Sequence, residues 1–119
     1  MDQQMSRVID WEKLSAQFRG REASVIKVAT TILRTQADVP ARLADLVEKR
    51  DYVGLSELAH TIKGMGGNLM ANSVYELGMK TDQAARVQDE NALELAKQLA
   101  MLMQNLLDEV RDEVRARGG

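Results

Sequence analysis

The chain of 119 residues contains no cysteine. Disulfides, thiolate zinc sites and cysteine nucleophiles are therefore excluded, and the composition fits a reducing compartment. A single histidine rules out metal sites and chemistry that need two imidazoles. Aromatic residues amount to 3%, with one Trp, two Tyr and one Phe, which argues against a stacking surface for single-stranded nucleic acid. Neither sign of charge dominates: 16 Lys and Arg stand against 18 Asp and Glu, a net charge of −2. Such a balance gives no sign of general affinity for nucleic acid or acidic lipid. No run of about 18 apolar residues occurs, so no membrane span is expected, and Met1–Val8 lacks the apolar core of a signal peptide. With 45% hydrophobic and 29% charged residues, the chain reads as one folded, soluble domain. A cytoplasmic setting is expected.

The only proline is Pro40. Apolar residues recur at spacings of three and four with no sustained alternation, which predicts an all-α fold. Asp10 reads as the N-cap of a short helix over Trp11–Phe18, broken by Gly20. A helix over about 21–34 carries Val25, Ile26, Ala29, Ile32 and Leu33 in one stripe. Asp38 is placed to cap the next helix, with Pro40 in its first turn, where a missing N–H costs little. Asp51 caps a segment over about 52–69, Asn72 or Ser73 restarts the chain for about 74–87, and Asp89 caps a last helix over about 90–115. Short connections make neighbours antiparallel. The expected architecture is an antiparallel up-down four-helix bundle (38–50, 52–69, 73–87, 89–115) with additional short helices at the N-terminal end. It forms one domain over residues 9–117, preceded by a disordered tail or linker over 1–8.

Residues 59–71 break the rules for a helix. Gly64, Gly66 and Gly67 stand inside a helical pattern, where each glycine costs roughly 1 kcal/mol against Ala. Local conflicts of this kind are expected at functional sites. At about 100° per residue, Leu55, Leu58, Ala59, Met65, Gly66 and Leu69 share the apolar face centred on Ile62. His60 and Gly64 point away from it, Gly67 lies about 140° round, and Lys63 sits on the flank, by the same arithmetic. An exposed imidazole titrates near 6.5 and is largely neutral and nucleophilic at pH 7. The missing side chains at Gly64 and Gly67 leave open space beside it for a phosphoryl donor or a whole partner protein. Lys63 can direct an ammonium at phosphate oxygens. A nucleotide-binding loop is rejected: Gly64-Met65-Gly66 begins a G-x-G-x-x-G pattern, but position 69 is Leu and no strand precedes it.

The run His60-x-x-Lys63-Gly64, preceded by Leu58-Ala59 and followed by Gly67 and Asn68, closely resembles the histidine-containing phosphotransfer (HPt) domain of phosphorelays. Asp51 nine residues before the histidine and Leu77-Gly78 in the next helix extend the likeness to about residues 23–115. The resemblance implies a phosphocarrier without kinase activity of its own. His60 would accept a phosphoryl group from a receiver-domain aspartate and pass it to another. Lys63 would steady the phosphoryl group, Gly64 would leave room for it, and Gly67 would keep the docking face flat. No cofactor is implied for this chain, because the receiver supplies Mg²⁺.

Two positions depart from the family pattern. Met70 stands where a glycine is usual, ten residues after the histidine, and Asp82 stands where Gln or another polar residue commonly bonds Nδ1. Asp82 could accept the same N–H. On the helical wheel Val53, Ser56 and Glu57 share the His60 face. With Met70 and with Met79 of the next helix they form the expected docking surface for receiver domains, a small and transient interface. Two other classes compete: an inert helical interaction or dimerisation domain, and an enzyme using His60 as general base, which would need a concave pocket. The chain could be a free-standing shuttle or the excised C-terminal domain of a hybrid sensor kinase; the start Ile9-Asp10-Trp11-Glu12-Lys13-Leu14 reads as a lead-in from a linker and favours the second. Its charged helix surfaces make a monomer the default.

Overall fold

Helix starts and stops are closely spaced along this chain, and their chemistry sets the architecture. The computed structural model describes residues 7–118, in which six helices occur: α1 (Trp11–Gln17), α2 (Glu22–Gln36), α3 (Val39–Glu48), α4 (Tyr52–Asn68), α5 (Asn72–Arg86) and α6 (Asn91–Ala116). Asp10 and Asp51 cap α1 and α4 as expected, accepting from the N–H groups of Lys13 and Gly54. The Asp89 carboxylate accepts from the Asn91 N–H at 2.9 Å, at the head of α6. Asp38 makes no side-chain cap: its backbone is helical, with φ −91° and ψ −3°, so the carboxylate cannot turn back to the first free N–H groups. Ala71, not Asn72 or Ser73, occupies the cap position of α5, without a side-chain bond.

Four of the five connections share one stop. Arg19, Arg50, Met70 and Gln88 each take a positive φ, between 51° and 58°. The residue after each donates its N–H five positions back, to the carbonyls of Ser15, Leu46, Gly66 and Ala84. This is the Schellman closure, usually completed by glycine. Between α2 and α3 there is no such stop. Ala37 and Asp38 stay helical, and the two helices follow one another along the length of α6. At one end Arg117 of the chain's C-terminal stretch bonds Glu22 at 2.8 Å. At the other, Arg50 lies 3.8 Å from Glu90.

The bundle of α3, α4, α5 and α6 is as expected, with α2 prolonging the α3 edge. Its core holds Leu43, Leu55, Ile62, Val74, Leu99 and Leu106, all at most 1% exposed. Each such side chain contributes about 1.5–3 kcal/mol by leaving water. Helices α4 and α5 pack most intimately. A Cβ on Gly66 would stand 2.8 Å from the Tyr75 backbone nitrogen, and one on Gly78 would stand 3.1 Å from the Ala59 oxygen and the Lys63 nitrogen. The two glycines thus let two backbones approach.

The N-terminal segment is tied down. The Glu109 carboxylate accepts from the N–H groups of Val8 (2.7 Å) and Ile9 (2.9 Å) and from the Trp11 indole (2.8 Å). Arg7 pairs with Glu113, and the Arg7 and Arg117 guanidiniums lie 5.7 Å and 5.3 Å from the centre of the Trp11 ring. Arg7 and Val8, assigned by sequence to the tail, therefore belong to the folded domain, because an acidic pair on α6 collects their N–H groups. The rest of that expected tail, residues 1–6, lies outside the described residues. No helix among the described residues is long and apolar enough to cross a membrane.

Candidate functional site

The face of α4 away from Ile62 carries His60, with its side chain 62% exposed. The glycine-rich stretch remains helical through Asn68. Its glycines divide as the wheel requires. A Cβ on Gly64 would meet nothing within 4 Å, so space beside His60 is open. Gly67 is exposed, and a Cβ there would only touch the Tyr75 ring, at 3.5 Å. Gly66 is buried against α5.

The imidazole has one charged neighbour at its Nδ1 edge. Asp82 of α5 is only 3% exposed, and its Oδ2 lies 3.6 Å from His60 Nδ1. That distance is just outside hydrogen-bond range. Three bonds fix the carboxylate. The Ser56 hydroxyl donates to Oδ1 at 2.6 Å, and Arg86 donates from Nε to Oδ1 at 3.1 Å and from Nη2 to Oδ2 at 2.9 Å. Burial alone would push the Asp82 carboxyl up. The Ser56 and Arg86 bonds, with the Arg86 charge and a smaller effect of His60, outweigh it and hold the group below the usual carboxylate range. Asp82 is thus an anion at neutral pH, and it is buried at tolerable cost only because it is paired.

Lys63 is half-buried on the flank. Its ammonium lies 5.9 Å from the centre of the Tyr75 ring, within cation–π range. In this arrangement the aromatic ring of α5 accommodates the charge one turn along α4 from the imidazole.

The remaining expected site residues separate into two groups. Val53, 67% exposed, and Glu57, also exposed, lie on the His60 side of α4, and half-buried Met79 stands one turn before Asp82. Ser56 is half-buried, and its hydroxyl is engaged by Asp82. Ten residues along a helix is about 15 Å, and the Met70 side chain packs partly buried against the core, while its carbonyl accepts from the Asp10 N–H at 2.9 Å. Its φ of +58° explains why glycine suits this position. Clefts lined by Arg7, Trp11 and Arg117, and by Lys13, Gly67 and Tyr75, share Met70, and His60 lines neither.

Arg86 and Tyr75 went unnoticed in the sequence, as did the inward role of Ser56. Asp82 and Arg86 stand four residues apart, a spacing that pairs charges on a helix, and this was a legible signal. The pairing of Ser56 with Asp82 depends on the α4–α5 register and had none.

The arrangement offers an accessible ring nitrogen, Nε2, with the other nitrogen facing a fixed anion and a side-chain-free position alongside. It suits a nucleophile that meets its reactant on the surface of another macromolecule. A family model described as Hpt domain matches residues 28–113 of the chain. Comparison with curated proteins and with solved structures gives no significant match in either case.

Proposed function

The chain belongs to the Hpt domain family, whose members carry phosphoryl groups in two-component phosphorelays, and on that premise we propose that His60 is the residue that carries it here. The observation that supports this most is the pairing of an exposed imidazole with a buried carboxylate 3.6 Å from its Nδ1. A carboxylate there favours the tautomer with hydrogen on Nδ1 and leaves the lone pair on Nε2.

In the proposed step, the Nε2 lone pair attacks phosphorus of a receiver's aspartyl phosphate. The bond from phosphorus to the aspartyl oxygen breaks, and its electron pair leaves with the receiver's carboxylate. The product is a phosphoimidazolium whose Nδ1–H faces Asp82, so the positive charge formed on the ring meets a fixed negative one. The reverse sequence passes the group to a second receiver. Lys63 steadies the phosphoryl oxygens after leaving the Tyr75 ring. Gly64 gives clearance, and the receiver supplies Mg²⁺. The docking face comprises Val53, Glu57, Gly67 and Met79 around His60.

The test is phosphoryl transfer from a panel of phosphorylated receiver domains to the wild type and to His60→Gln, with circular dichroism as the control of folding. Acid-labile, base-stable label on the wild type alone is the expected result. Equal label on His60→Gln would overturn the assignment, and a folded wild type that takes no label from any receiver would favour a helical domain that only binds.

A further inference from the structure

Asp82 is well placed to orient His60, but a buried carboxylate does not hold itself. It can rotate about its last bond, and burial favours its protonation. Three polar side chains face it. Ser56 and His60 come from α4, and Arg86 from α5 makes two contacts. Arg86 binds both oxygens from one planar group, at 3.1 Å and 2.9 Å. Such a two-point contact fixes the plane of a carboxylate, which a single ammonium or hydroxyl cannot do. Among the described residues, Oδ2 is hydrogen-bonded by Arg86 only, and it is also the oxygen that faces His60 Nδ1. Ser56 secures the other oxygen from the opposite helix.

Resting on the phosphocarrier reading, we infer that Arg86 is a positioning residue for phosphoryl transfer: with Ser56 it clamps the Asp82 carboxylate so that Oδ2 faces His60 Nδ1. The clamp makes a carboxylate workable at this position. Arg86 keeps the buried charge compensated while leaving one edge of Oδ2 for the imidazole. Its own effect on the reaction passes through Asp82. The Arg86 side chain is 62% exposed, so its replacement removes little packing.

The experiment is a double-mutant cycle. Arg86→Gln and Asp82→Ala are made singly and together, and phosphoryl transfer to each from a phosphorylated receiver is followed against receiver concentration. The rate at saturation is expected to fall on the order of ten- to a hundredfold in Arg86→Gln, the scale of a small misplacement of a reacting group, with the half-saturating concentration little changed. In the Asp82→Ala background, Arg86→Gln should cost nothing further, because coupled residues are not additive. Nitrogen-15 shifts of His60, read without any receiver, should show a smaller share of the Nδ1–H tautomer in Arg86→Gln. Arg86→Lys keeps the charge without the fork and should fall between wild type and Arg86→Gln. Should Arg86→Gln fail to fold, Arg86→Lys and Ser56→Ala carry the same comparison.

A wild-type saturating rate in folded Arg86→Gln, or an unchanged tautomer ratio, would overturn the positioning role while leaving the carrier reading intact. A full further loss in the Asp82→Ala background would also overturn it, by showing that Arg86 acts directly. A wild type that takes no label would remove both readings.

Discussion

Replacing single glycines of α4 by alanine should give opposite outcomes two residues apart. At both Gly64 and Gly66 the change removes a helix-interior glycine and on propensity alone would stabilise by about 0.8–1 kcal/mol. At Gly64 nothing opposes it, because the new methyl meets no atom within 4 Å. Gly64→Ala should therefore raise the thermal midpoint by roughly 3–6 °C for a chain of this size. At Gly66 the methyl would stand 2.8 Å from the Tyr75 backbone nitrogen and 3.0 Å from a Val74 methyl. A backbone atom cannot step aside, so α5 must move. Overpacking of this kind costs about 1–3 kcal/mol, which cancels or exceeds the propensity gain, and Gly66→Ala should be less stable than Gly64→Ala by at least about 1 kcal/mol. Urea denaturation followed by circular dichroism, with slopes compared to confirm an unchanged transition, measures both. The Gly64 methyl also occupies the space beside His60, so phosphoryl transfer should slow as stability rises. A Gly64→Ala protein no more stable than wild type, or a Gly66→Ala protein as stable as Gly64→Ala, would refute the division of the glycines into an open face and a packed one.

Three further outcomes follow from other parts of the molecule. Glu109→Ala deprives Val8, Ile9 and Trp11 of a shared acceptor and should cost on the order of 2–3 kcal/mol in urea, with faster proteolysis near Arg7; unchanged stability would show that the segment is held otherwise. The Asp82 and Glu113 carboxyls lie below their usual range in the folded chain, so their stabilisation is present above the unfolded values near pH 4 and is lost as pH falls from there through the lower folded values. The thermal midpoint should therefore drop on acidification below about pH 4.5, and less steeply in Asp82→Asn; parallel curves would contradict the assignment. Arg50 is exposed and has φ +51°, so Arg50→Gly should stabilise by a few tenths to about 1 kcal/mol, and a loss of stability in a thermal melt would show that its 3.8 Å approach to Glu90 matters more.

Much of this arrangement was legible in the chain because helices announce themselves locally. Apolar spacing placed all six helices to within a few residues, and Asp10, Asp51 and Asp89 act at the starts where they were expected. Stops were harder. Arg19, Arg50, Met70 and Gln88 close their helices without glycine, so the usual signal is missing, and the helical backbone at Asp38 depends on how α2 and α3 follow α6. At the site, His60, Lys63 and the glycines were readable as a face of one helix. What was not readable was which oxygen, ring or hydroxyl stands opposite, since that depends on the depth to which Gly66 and Gly78 let α4 and α5 sink together.

Every side chain of the site, from Ser56 through His60 and Lys63 to Tyr75, Asp82 and Arg86, lies on α4 or α5. The turn joining these helices is closed by the Ala71 N–H on the Gly66 carbonyl, at 2.8 Å. Chemistry and scaffold are consequently separable in this molecule. The helical hairpin of residues 52–86 carries all of them, and the other helices contribute apolar side chains to the core beneath it. Grafted onto another bundle that offers an equivalent floor, the hairpin should keep its geometry, and the helices beneath it could be redesigned for stability without retuning the histidine.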